Sequence, residues 1–138
     1  MKRLLILLLT LLCALCLIGC AGANTGAGKS ICAHIAADVT TVEITHHLSG
    51  QIVRWTAEGD ELSALRDWAA ALECMPERFE TGNTPGDCDG GEVYDFALTE
   101  GDYPGFSYIV NGPDDCHLLI EGQWYAVSTP SVPPVEEP

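Results

Sequence analysis

The stretch that decides the fold is GDELSALRDWAAALECMP, residues 59–76, because here the apolar residues take on a helical spacing. Its apolar positions recur at steps of three and four along one helix face, at Leu62, Leu65, Trp68, Ala69 and Leu72. Asp60 is suited to the N-cap, and Pro76 limits how far the helix can continue. We therefore predict an amphipathic helix that packs one face on a core.

Segments with strand character lie on both sides of this helix. TTVEITHH (40–47) alternates between apolar and polar residues, and QIVRWTA (51–57) follows after a short turn. Four more segments come after the helix, and they read EVYDFALTE (92–100), FSYIVNG (106–112), CHLLIEG (116–122) and QWYAVST (123–129). The turns between them are too short for parallel crossovers. The predicted fold class is α+β, with one amphipathic helix on an antiparallel sheet of about five or six strands.

The first nineteen residues, MKRLLILLLTLLCALCLIG, have the pattern of a secretory signal. Lys2 and Arg3 precede an apolar run from Leu4 to Ile18 that only Thr10 interrupts. This length suits a signal peptide and falls short of the roughly 20 residues that a membrane-spanning helix needs. We therefore expect residues 1–19 to be removed.

The end of this segment, Leu17-Ile18-Gly19-Cys20, resembles the lipobox of bacterial lipoprotein precursors. The resemblance implies that the Cys20 thiol receives a diacylglyceryl group, that the chain is cut before it, and that the new amino terminus is acylated, for example with palmitate. Two or more acyl chains anchor durably, whereas one holds only marginally. The implied location is the extracytoplasmic face of the cell membrane. Ala21 would permit sorting to an outer membrane in a host that has one.

These features divide the chain into four parts. Residues 1–19 are the predicted lipoprotein signal peptide, 20–37 the lipidated cysteine and a flexible tether, 38–129 a small α+β domain, and 130–138 a proline-rich disordered tail. The domain is similar to small lipoprotein domains of Gram-positive bacteria that have no assigned activity. That resemblance implies no ligand.

The segment Ala23–Ser30, ANTGAGKS, has the spacing of a loose phosphate-binding P-loop. A working P-loop lies between a buried strand and a helix N-terminus. Here the only upstream strand candidate is the leader, which we expect to be removed. A Gly/Ala/Ser/Asn tether produces such spacing easily, so we interpret the motif as a decoy and Lys29 as a solvated charge.

The charge of the chain restricts its partners. The sequence has 20 acidic and six basic side chains, and loss of Lys2 and Arg3 changes the formal charge from −14 to −16. Nucleic-acid binding needs clustered Lys and Arg, so it is not expected. The expected partners are the membrane, through the lipid on Cys20, and an unidentified ligand. This ligand is a protein, a glycan or a small molecule. We expect no cofactor.

Four cysteines remain once Cys13 and Cys16 are cut away and Cys20 is acylated. They are Cys32, Cys74, Cys88 and Cys116. An extracytoplasmic compartment tolerates disulfides. The sequence favours Cys74–Cys88, which closes a loop of about 15 residues, with Cys32–Cys116 following. Free buried thiols are the alternative.

A metal site is the second functional hypothesis. Asp87, Asp89 and Glu92 place three carboxylates around a flexible loop, which suits calcium. The EF-hand spacing fails, however, because Gly91 occupies the fifth position, so an acidic surface loop is the competing interpretation. The histidines are His34, His46, His47 and His117. Neighbours in a strand point to opposite faces, so His46 and His47 cannot easily share one ion, nor can Cys116 and His117.

No catalytic constellation is recognisable. Ser107 and Ser128 lack a Gly-x-Ser-x-Gly motif, and a nucleophile also needs a base within hydrogen-bond reach. The aromatic residues carry more information, because Trp124 and Tyr125 are neighbours and a strand that buries one exposes the other. An exposed aromatic ring would suit a protein or glycan partner. The sequence thus predicts a non-catalytic, lipid-anchored binding or interaction module.

Overall fold

The computed structural model describes residues 35, 38–80, 83–85, 91–98, 105–136 and 138. In chain order the described elements are β1 (Thr41–Leu48), β2 (Gln51–Glu58), α1 (Gly59–Ala71), β3 (Cys74–Glu77), β4 (Glu92–Leu98), β5 (Phe106–Gly112), β6 (Asp115–Ile120) and β7 (Gln123–Val127). The strands form one antiparallel sheet in the order β2-β1-β4-β5-β6-β7-β3. The predicted α+β class is confirmed, and the sheet has seven strands rather than five or six.

The additional strand is β3, which the sequence analysis did not predict. It is four residues long, contains Pro76 and pairs only with β7 at the edge of the sheet. Proline has no N–H to donate and is tolerated on edge strands, where one side has no ladder to complete. Helix α1 already ends at Ala71, and Pro76 is compatible with a short edge strand.

Helix α1 connects β2 and β3, the two edges of the sheet, and covers one face. Its predicted apolar face is buried as expected, since Leu62, Leu65, Trp68 and Ala69 all lie in the core. The N-cap position is Glu58, without a side-chain cap, and Asp60 lies in the first turn. There its negative charge interacts favourably with the positive, amino-terminal end of the helix dipole. Among the described residues, no helix has the length and apolarity needed to cross a membrane.

The core lies between α1 and one face of the sheet. Alternate residues of the central strands point into it, and the largest of them are Ile44, Phe96, Tyr108 and Leu118. The Trp68 ring meets Tyr108 edge-on at 5.0 Å between centroids, and Phe96 lies 6.1 Å away. Aromatic pairs in such tilted arrangements add to the stabilisation from burial.

The carboxyl-terminal segment differs from the prediction of a disordered tail. Pro133 is buried and Val135 packs against the core. The Trp68 indole Nε1–H donates to Ser131 Oγ at 2.9 Å, and the Ser131 N–H donates to the Tyr108 hydroxyl at 3.3 Å. The prolines prevent this segment from joining the sheet, but their fixed φ angles also lower the entropic cost of holding it in one conformation.

One residue of the predicted tether also belongs to the core. Ile35 is buried, and its carbonyl accepts a hydrogen bond of 3.2 Å from Arg66 Nε on α1. The same guanidinium donates to the Val39 carbonyl. Arg66 thus ties the entry into β1 to the helix.

Candidate binding site on the open face of the sheet

The sheet face opposite α1, called the open face below, carries the other half of each strand. Strand register brings its residues into rows that cross the sheet. Asp95 on β4 pairs with Ser107 on β5, Ser107 with Leu119 on β6, and Leu119 with Trp124 on β7. Residues distant in sequence therefore meet on one surface because side chains alternate between the two faces of every strand.

A cavity of about 490 Å³ lies on this face. Its described lining residues are His47, Thr84, Gly91, Val93, Asp95, Ser107, Ile109, Leu119 and Trp124. The volume falls in the range of small-molecule sites. Aliphatic side chains form much of the lining, and the polar groups gather around one carboxylate.

That carboxylate belongs to Asp95. The Ser107 hydroxyl donates to its Oδ1 at 2.6 Å, and His47 Nε2 lies 3.1 Å from its Oδ2. A carboxylate offers about four lone-pair positions. Two are used by these bonds, so Asp95 keeps capacity for a ligand that donates hydrogen bonds. Its side chain is 47% exposed, which leaves it reachable from the cavity.

The order of these three groups bears on catalysis. Asp95 lies between Ser107 and His47 and bonds to both, whereas a hydrolytic triad places histidine between the serine and the acid. The two bonds therefore hold Asp95 in position, in an order that differs from that of a hydrolytic triad. The arrangement suits recognition of a ligand.

Aromatic side chains bound the far end of the cavity. Phe79, from the connection after β3, meets the Trp124 ring at 5.6 Å and the His117 ring at 5.5 Å, both edge-on. Trp124 and Tyr125 lie on opposite faces, as their adjacency predicted, and each is half-buried. Trp124 lines the cavity, whereas Tyr125 packs against the core.

His117 is held next to this wall by two carboxylates. Its Nδ1 lies 3.0 Å from Glu77 and its Nε2 lies 2.9 Å from Asp115, and the His117 side chain is 10% exposed. Both nitrogens donate only when the imidazole is protonated. The contact between His117 and Glu77 links β6 to the edge strand β3. The two carboxylates lie on opposite sides of the ring, so the three groups do not converge on one ion.

His46 points to the core side, opposite His47. Its ring stacks on Tyr94 at 4.2 Å, and its Nε2 lies 2.8 Å from Glu92, which also accepts a hydrogen bond from the Tyr94 hydroxyl. Glu92 is one of the three predicted calcium ligands, and these contacts already engage its carboxylate. In the described part of the chain no group of three or more His, Cys, Asp or Glu residues could hold a metal ion. Asp87 and Asp89 lie outside that part, so the calcium hypothesis stays a prediction.

The two described cysteines, Cys74 and Cys116, are buried free thiols on the core side of the sheet. Cys74 pairs with Val127, and β7 separates β3 from β6. Two strand spacings, about 9.5 Å, exceed the span of a disulfide, so these two cysteines cannot pair directly. Their predicted partners Cys88 and Cys32 lie outside the described residues, and the pairings stay predictions.

Burial determines the chemistry of these thiols. It raises the pKa of Cys74 to about 11. Burial also raises the pKa of Cys116, an effect that the hydrogen bond from Tyr108 partly offsets. The pKa of Tyr108 is raised as well, chiefly by burial. A nucleophilic cysteine needs a lowered pKa, so these groups act as core residues.

Several sequence predictions fall outside the described residues and stay predictions. They concern the leader, Cys20, the segment Ala23–Ser30 and His34. Comparison of the chain with protein-family models, with curated proteins and with solved structures finds no match.

Proposed function

We propose that the protein is a bacterial lipoprotein, anchored through lipid on Cys20 at the extracytoplasmic face of the cell membrane, whose α+β domain binds a small molecule without transforming it. The lipobox Leu17–Cys20 supports the anchor, and the open-face cavity supports the binding role. In a host with an outer membrane, Ala21 is compatible with location there.

One observation carries the binding role. The cavity combines an aliphatic lining, an aromatic wall at Trp124 and a positioned carboxylate at Asp95. Binding sites for small molecules typically have this composition, with an apolar lining and a few fixed polar groups. Asp95, Ser107 and Trp124 lie outside the core on the other face. Their placement is therefore best explained by a ligand.

The non-catalytic assignment follows from the contacts of the titratable groups. Asp95 holds both Ser107 and His47, while Cys74 and Cys116 are buried with raised pKa values. Nucleophilic catalysis needs a nucleophile in contact with its base. The contact between Ser107 and Asp95 comes nearest to such a pair, but it lacks the histidine that a hydrolytic triad places between the serine and the acid.

Metabolic labelling with a clickable fatty acid tests the anchor. We expect the wild type to be labelled and Cys20→Ala to lose the label. Cys16→Ala is the matched control, because it removes a leader thiol four residues away and should keep the label. Equal labelling of the Cys20→Ala variant would refute lipidation at this position.

Affinity mass spectrometry tests the binding role. Full-length protein in nonionic detergent is exposed to small molecules extracted from the native cells, beside a Val93→Trp variant. The indole at position 93 would occupy the cavity from its lining. We expect at least one compound to be retained by the wild type and lost from the variant. Identical retention by both proteins would contradict binding in this cavity, provided that both show the same cooperative melting.

A further inference from the structure

The chemistry of the cavity narrows the class of ligand, and this step rests on the binding role proposed above. We infer that the open-face cavity binds a small organic cation with an apolar body, whose ammonium group contacts Asp95 and whose body lies towards Trp124.

The charge of the site favours a cation. Asp95 keeps two acceptor positions after its bonds to Ser107 and His47. The described residues that line the cavity include no lysine or arginine. His47 Nε2 lies 3.1 Å from one oxygen of the Asp95 carboxylate, and the Ser107 hydroxyl donates to the other. The chain as a whole has a formal net charge of −14, so an anionic ligand would meet a repulsive field.

The remainder of the lining favours an apolar body next to that charge. Val93, Ile109 and Leu119 offer no hydrogen-bonding side chains, and Trp124 presents an aromatic surface. Asp95 and Trp124 lie three strands apart, about 14 Å between Cα atoms, so one elongated molecule can approach both. A sugar would need more polar partners along this path.

The test compares three probes of similar shape and different charge. They are phenylbutylammonium, phenylbutanol and phenylbutyrate, with glucose added as a polar probe. Affinities for the full-length protein in nonionic detergent are measured by saturation-transfer NMR and tryptophan fluorescence, with empty micelles as the blank. We expect phenylbutylammonium to bind at least about tenfold more tightly than phenylbutanol, since only the ammonium carries a charge opposite to that of the Asp95 carboxylate. Phenylbutyrate and glucose should not bind.

Two aspartate variants isolate the carboxylate. Asp95→Asn keeps the shape of the side chain and removes its charge. It should lower the affinity for phenylbutylammonium at least about tenfold and change the affinity for phenylbutanol less than about twofold. Asp67→Asn is the matched control, since Asp67 is exposed on α1 and the net charge changes equally. Trp124→Leu should weaken both probes by a similar factor because it removes the aromatic wall. Thermal melting confirms that each variant is folded.

The outcomes separate this inference from the proposed function. Tighter binding of phenylbutanol or glucose than of phenylbutylammonium would overturn the inference that the ligand is a cation. The proposed binding role would still stand. Equal losses in Asp95→Asn and Asp67→Asn would also overturn it, because the effect would then come from net charge alone. If no probe binds and the extract screen also retains nothing, the binding role itself fails.

Discussion

Truncation of the chain after Thr129 should destabilise the domain measurably, although the proline content of the removed segment predicts a disordered tail. Residues 130–138 make specific contacts with the core. Ser131 bonds to both Trp68 and Tyr108, and the Glu136 N–H donates to the Glu61 carboxylate at 3.1 Å. In addition, Pro133 is buried and Val135 packs its apolar side chain against the core.

The magnitude follows from these contacts and from the entropy that opposes them. Three hydrogen bonds contribute about 1 kcal/mol each, and burial of two side chains adds about 2–3 kcal/mol. Ordering the backbone costs about 1 kcal/mol per residue. Three of the seven residues 130–136 are prolines with a ring-fixed φ, so this opposing term is about 4 kcal/mol. The net loss on truncation is about 1–2 kcal/mol, which lowers Tm by roughly 5–15 °C.

Calorimetry and urea unfolding of the truncated and complete chains measure this loss. Truncation after Glu136 is the control, because it leaves the described contacts in place and should keep the wild-type Tm. Ser131→Ala should give an intermediate loss of about 1 kcal/mol, since it removes the acceptor nearest the Trp68 indole. A Tm unchanged by removal of residues 130–138 would refute the structural role of the segment.

Two further predictions concern titratable groups in the described part of the chain. The folded state favours the protonated thiol of Cys74, whose pKa rises from 9.0 to about 11, so the contribution of Cys74 to the free energy of unfolding should be constant below about pH 9 and fall between about pH 9 and 11. Urea titrations across this range should show a smaller fall in Cys74→Ala than in the wild type, and an equal fall would show that Cys74 contributes nothing to it. His117→Gln should lower the free energy of unfolding by about 1–3 kcal/mol, because the contacts of the imidazole with Glu77 and Asp115 are then lost. Glu121→Gln, on an exposed turn, serves as its control, and equal unfolding midpoints for the two variants would contradict a structural role of the imidazole.

The helix and six of the strands could be predicted from the sequence because their periodicity is local. Leu62, Leu65 and Trp68 repeat at the spacing of one helix face, and β1 alternates clearly between buried and exposed residues. Strand β3 could not be predicted in this way. It is four residues long and contains Pro76, and it exists as a strand only because β7 lies beside it. No local sequence pattern indicates that β7 will lie beside these four residues.

The cavity was missed for a related reason. His47 and Asp95 are 48 positions apart in the chain, and Ser107 follows twelve positions after Asp95. Only the sheet order, with β1 and β5 on either side of β4, brings the three together. The available signal was the set of polar residues at alternate positions on the far side of predicted strands. That signal identifies a face but not which strands are neighbours.

The two faces of the sheet separate stability from recognition. Helix α1 runs between the edge strands and covers one face, so the alternate residues on that face form the core. The open face carries no helix among the described residues, and Asp95, Ser107 and Trp124 add little to that core. Substitutions at Asp95 or Ser107 should therefore change binding with small effects on melting, whereas substitutions at Trp68 or Tyr108 should do the reverse. This separation makes the Asp95→Asn experiment interpretable, because a loss of cation binding can be distinguished from a loss of folded structure.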